Sequence, residues 1–166
     1  QRATGAGTAG RNKGTRIVEL QLLGGVSLRS DGGPVTGLVA RRHPLALLAL
    51  LATAPQQALS RAKAVGMLWP DVDETTGRNR LSSTVYPLRK LLGAKALSAT
   101  GDSLGLATTA LDCDVWRFEA ALRAGDWEQA VTHYRGPFMD GFFLEGAPMF
   151  EERLFEERQR LERAWR

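Results

Sequence analysis

Cysteine and histidine are nearly missing from this chain: 166 residues hold one Cys and two His. The lone Cys113 excludes an intramolecular disulfide, falls far short of a zinc cluster, and suits a reducing cytoplasm. Neither His43 nor His133 stands in a nucleophile and base pattern, and no Gly-rich phosphate loop occurs. Nothing therefore points to an enzyme, a bound metal or a cofactor. Long hydrophobic runs are missing too. The apolar stretch from Leu45 to Ala52 is too short to span a bilayer, and it follows Arg41, Arg42 and His43 in mid-chain rather than at a signal-peptide position. No membrane segment is expected. The chain opens on Gln and stops inside a charged helical pattern at Arg166, as a piece of a longer protein would.

What is present is a 43% hydrophobic content, enough to build a core, and a net charge of +4 that conceals an asymmetry. Residues 1–100 carry 14 Lys+Arg against 5 Asp+Glu, and residues 101–166 carry 8 against 13. The basic part suggests a polyanionic partner; the acidic part suggests a different task.

Residues 1–15, rich in Gly, Ala, Thr and basic side chains without an apolar period, read as a flexible arm. Alternation from Ile17 to Leu23 and from Val26 to Arg29, broken by Gly24-Gly25, predicts two short strands, with a turn at 30–34. His43-Pro44 opens a nearly all-apolar helix that Pro55 closes, with Arg41 and Arg42 near its start as candidate phosphate contacts. Ser60 caps a second helix ending at Pro70, its buried stripe formed by Val65, Leu68 and Trp69.

The third helix, at 74–93, organises the basic part. Leu81, Val85, Leu88 and Leu92 share one stripe, while Asn79, Ser83, Tyr86 and Lys90 project opposite, with Arg80 between. Arginine beside small hydrogen-bonding residues suits a DNA groove, because guanidinium groups meet phosphates and guanine edges and Asn and Ser reach bases without bulk. The acids before it, Asp71, Asp73 and Glu74, lack the glycine turn and terminal Glu of a calcium loop. Capping by Asp73 is the better reading, and it leaves Asp71 for a protein partner. Residues 96–107 carry a hairpin signal around Gly101-Asp102. A sheet, three helices and a hairpin come in the order of a winged helix whose third helix enters the major groove of double-stranded DNA.

Beyond Leu111 two helices are expected, at 114–123 and 127–134, around a break at Gly125. Gly125, Trp127, Ala130 and Tyr134 look like part of a tetratricopeptide hairpin, in which small residues permit close helix approach. Phe138, Phe142 and Phe143 are expected to pack between helices, before a last helix from Pro148. One such repeat cannot bury a continuous core alone. It has to pack on the first domain, continue past Arg166, or pair with a second chain as a homodimer would.

Three motifs together carry a resemblance. They are Leu68-Trp69-Pro70-Asp71, Arg78-Asn79-Arg80-Leu81-Ser82 running on to Gly93, and the pair Cys113 to Ala121 and Tyr134 to Phe142. The chain resembles the antibiotic-regulatory-protein type of bacterial transcriptional activator over roughly residues 17–166. The resemblance implies a fold: an α+β OmpR-like winged helix-turn-helix domain at 16–110, followed by the start of an all-α tetratricopeptide-like bacterial transcriptional activator domain at 111–166. It also implies activation of transcription with RNA polymerase. By position, Arg78, Asn79, Arg80 and Ser83 would meet DNA, with Tyr86, Arg89 and Lys90 near its backbone. Asp71 and Asp73 would lie in the polymerase-facing loop.

Two departures stand against the family pattern. Pro87 occupies a helix-interior position often basic in the family, removing one hydrogen bond at a cost of about 3 kcal/mol unless a kink absorbs it. The hairpin tip offers no Arg or Lys to a minor groove, and Asp102 there would be repelled by phosphate. They motivate a competing reading, a protein-interaction module that keeps the winged-helix shape and has lost DNA binding.

Overall fold

Alternation along the first segment becomes a strand with one face inward. In β1, Val18–Gln21, Val18 and Leu20 are buried and Glu19 faces solvent. The computed structural model describes residues 17–166, so the arm expected over 1–15 lies outside the described residues. Antiparallel to β1 runs β2, Ser27–Ser30, with Leu20 opposite Leu28, and β2 pairs in turn with β3, Gly33–Pro34. The connection uses Asp31 and Gly32 at φ 54 and 79, the left-handed conformation that such a turn requires.

A 3-10 turn at Leu38–Ala40 leads into α1, Arg42–Thr53, where Pro44 sits in the first turn and every residue from Ala46 to Ala52 is buried. Strand β4, Ala58–Ser60, comes next; three partly buried residues give no period to read, so it was not anticipated. Helix α2, Arg61–Leu68, is capped as expected: the Ser60 hydroxyl accepts from the Lys63 N–H at 3.1 Å. Helix α3, Glu74–Leu92, begins at Asp73, whose carboxylate accepts from the Thr76 N–H at 2.7 Å, and ends at Gly93 with φ 109. It continues through Pro87 rather than stopping there, although the missing N–H leaves the Ser83 carbonyl without its i+4 donor.

The hairpin follows as β5, Leu97–Thr100, and β6, Ser103–Leu106, turned at Gly101 with φ 60. Strand β4 adds to the other edge of β6, so the second sheet runs β4-β6-β5. The wing is thereby anchored to the start of α2, whose Arg61 N–H donates to the Asp102 carbonyl at 2.8 Å.

Residues beyond 110 are sewn onto this frame. Strand β7, Asp112–Cys113, pairs in parallel with β1, making the first sheet β3-β2-β1-β7. Helices α4, Asp114–Arg123, and α5, Trp127–His133, form a helical hairpin turned at Gly125 with φ 71; α6, Pro148–Trp165, closes the described chain. The Asp114 carboxylate accepts from the Leu22 and Leu23 N–H groups at 2.8 and 2.9 Å, satisfying amides left open at the end of β1. Trp116 donates to the Ala52 carbonyl at 2.8 Å, and Arg153 to Thr53 at 3.1 Å. Arg158 clamps the irregular segment before α6 through the Phe138 and Met139 carbonyls at 2.8 and 2.7 Å. One hydrophobic cluster consequently runs from Val18 to Leu161. Of the ways in which the acidic part could bury its apolar face, packing on the residues before it occurs within the described chain.

Some expected packing does not occur. Phe138 is buried and Phe142 partly so, but Phe143 is 52% exposed, because the chain leaves the core at Gly141 before Leu144 returns to it. Leu92, in the final turn of α3, is only partly buried.

Candidate nucleic-acid interface

Three elements position α3. Leu81, Val85 and Leu88 hold it on the core, Asp73 fixes its first turn, and Gly77 lets α2 approach closely. The carboxyl of Asp73 is held below the ordinary aspartate value by its side-chain and backbone hydrogen bonds with Thr76. What remains outward is the polar face. Asn79, Arg80, Ser82, Ser83, Tyr86 and Lys90 are all exposed, in agreement with the helical spacing. The Arg80 carbonyl accepts from the Thr84 hydroxyl at 2.8 Å, but its guanidinium has neither an ion pair nor a hydrogen bond among the described residues, so its fork of donors is open to a ligand.

The other basic residues are not equivalent. Arg78 pairs with Glu74 at 3.0 Å across one turn, but both side chains are well exposed, and a surface pair of this kind is worth roughly 0–1 kcal/mol and yields readily to a phosphate. Lys90 lies 4.8 Å above the Tyr86 ring and remains exposed. Arg89 is half-buried and donates through Nε to the Leu97 carbonyl at 3.0 Å, joining the end of α3 to the wing. That fixed bond is a structural duty which helical spacing could not reveal.

Clefts flank α3 on both sides. One, of about 240 Å³, lies toward the wing and gathers Arg61, Arg78, Ser82, Tyr86 and Arg89. Arg61 was not singled out from sequence; its place at the first turn after the Ser60 cap was the available signal. The other, of about 480 Å³, lies toward the start of α1 and brings Arg41 beside Asn79, Arg80 and Ser83. The two arginines that precede α1 part company here. Arg41 joins the α3 face, whereas Arg42 donates to the Phe143 carbonyl on the acidic part.

His43 stacks on Trp69, ring centroids 5.1 Å apart and planes 6° off parallel, with Nε2 3.3 Å from the Leu68 carbonyl. Burial lowers its pKa below the ordinary histidine value, the Leu68 bond opposes that shift, and the Arg80 charge adds to it. The ring is mainly neutral at neutral pH. Asp71, in the turn between α2 and α3, and Asp102, at the wing tip, are both exposed.

No family model matches the chain, and no curated protein matches it. Among solved structures the chain is similar to Mycobacterium tuberculosis EmbR in complex with a low-affinity phosphopeptide, with a TM-score of 0.66 at 25% identity. The likeness covers 90% of this chain and 44% of that one, so the chain spans less than half the length of EmbR. The likeness supports a winged-helix fold. No described helix is long and apolar enough to cross a membrane.

Proposed function

We propose that the chain is a DNA-binding transcription regulator of the activator type, reading the major groove of double-stranded DNA with the N-terminal part of α3. The observation that carries this reading is the Arg80 guanidinium, exposed and unpartnered among the described residues, between Asn79 and Ser83 on the outer face of a helix braced by α1, α2 and the hairpin. Arg78 joins them once Glu74 releases it, and Lys90 and Tyr86 serve the phosphate backbone. Base reading belongs to Asn79, Arg80 and Ser83, phosphate contact to the flanking cations.

The exposed turn with Asp71 and Asp73 is the surface we assign to RNA polymerase. Asp71 is its free charge, because Asp73 is engaged with Thr76. For residues 111–166 we propose the start of a tetratricopeptide-like bacterial transcriptional activator domain. The α4 and α5 hairpin supports it, with the Phe118 and Tyr134 ring centroids 5.4 Å apart. The exposed Asp102 favours the competing reading, an interaction module without DNA binding.

Selection of bound sites from random duplexes at two salt concentrations tests the proposal. A preferred sequence should emerge, and Arg80→Ala should cost about 1–3 kcal/mol on it. Failure to select any sequence, or equal binding by the Arg80→Ala protein, would sink the DNA reading in favour of the interaction module.

A further inference from the structure

The cleft of about 480 Å³ between α3 and the start of α1 has a composition that a DNA-contacting groove alone does not require. Its size falls in the range of small-molecule sites, roughly 300–1,000 Å³. His43 stacks on Trp69, and because Trp69 is only 8% exposed while His43 is half-buried, the imidazole presents most of the aromatic surface that the cleft can reach. Leu38, Pro44 and Pro87 supply apolar walls, while Arg41 and Arg80 bring two guanidinium groups and no Asp or Glu lines the space. With Nε2–H committed to the Leu68 carbonyl, the neutral His43 ring presents Nδ1 as an acceptor.

We propose that this cleft binds a planar aromatic anion, such as an aromatic carboxylate bearing a hydroxyl, and that a bound ligand excludes DNA from α3. The ring system would lie against His43, which Trp69 backs, the acid would meet Arg41 and Arg80, and the hydroxyl would meet the polar residues Asn79 and Ser83 of the wall. Stacking and charge pairing act together on such a ligand. The exclusion rests on the assignment of Asn79, Arg80 and Ser83 to DNA, since the same three residues line the cleft. Binding of the ligand itself does not.

The test uses 1-hydroxy-2-naphthoate as probe and the full chain labelled with nitrogen-15. Saturable binding with Kd below about 1 mM is expected. The Trp69 indole signal should shift and that of Trp127, on α5, should not. The Arg41→Ala, Arg80→Ala double variant should bind roughly tenfold more weakly or worse, as loss of charge-assisted hydrogen bonds implies. Absence of saturable binding, equal binding of uncharged naphthalene-methanol, or shifts away from Trp69 would overturn the site. Displacement of a selected duplex by the probe supports the exclusion, and simultaneous binding of both overturns it. A protein that binds the probe and no duplex overturns the DNA reading while the site stands.

Discussion

A β-carbon placed at Gly77 would come 2.4 Å from Cγ1 of Val65, so α2 and α3 meet where only a hydrogen fits. This contact sets how far the outward face of α3 stands from the body of the molecule. Val65 is β-branched and stiff, so it cannot swing away without cost. Gly77→Ala gains about 1 kcal/mol of helix propensity yet has to overcome overpacking of about 1–3 kcal/mol. We expect a net loss of about 1–2 kcal/mol in urea unfolding. Val65→Ala in the same chain should relieve part of it, an outcome that additive losses would exclude.

Asp114 holds the acidic part to β1. Its removal in Asp114→Ala leaves the Leu22 and Leu23 N–H groups without partners and should cost about 2–4 kcal/mol, while Asp114→Asn keeps one acceptor and should cost less. Burial raises the carboxyl above the ordinary aspartate value of 3.8, against the opposing pull of the Leu23 and Leu22 hydrogen bonds. A raised native pKa contributes stability that is fully present below the unfolded value and is lost as pH rises through the native one. The stability of the wild-type chain relative to Asp114→Asn should therefore fall as pH climbs from below 3.8 through the native pKa. Measurement of both proteins across that window checks the sign.

Cys113 is buried in the parallel pairing with β1, and burial, followed by the neighbouring Asp114 charge, pushes its thiol up to about 12. A thiol reagent such as dithionitrobenzoate should leave the native protein unmodified and react once the chain is unfolded. Rapid reaction under native conditions would show that β7 detaches readily.

Arg89 and Lys90 are neighbours with different fates. Arg89→Ala removes the bond to the Leu97 carbonyl and should lower stability by about 1–2 kcal/mol. Lys90→Ala should leave stability within about 0.5 kcal/mol and reduce the slope of log affinity against log salt by about 1 on any duplex. Paired urea melts and salt titrations separate the two roles.

Much of this was legible in the chain. The Ser60 and Asp73 caps, the apolar stripe of α3 and the glycine-centred hairpin are local, because a cap or a helical period involves residues within four positions of one another. Their outward counterpart, Asn79, Arg80 and Ser83, was legible for the same reason: a residue opposite a buried stripe has nowhere to point but away. Strands β4 and β7 were not legible, since three and two residues form no period and exist only through their partners β6 and β1.

The sequence by itself determined that α3 would be a capped amphipathic helix with a basic outer face, within a chain whose basic and acidic parts differ. Only the tertiary structure decided how those charges are used. It bound Arg89 to the wing and Arg42 to Phe143, left Arg80 open, and set Arg41 beside it across a cleft floored by His43 and Trp69. The physical reason is distance along the chain. A guanidinium's partner is whichever carbonyl or carboxylate the fold brings within hydrogen-bond reach, and here Arg42 finds its acceptor 101 residues away.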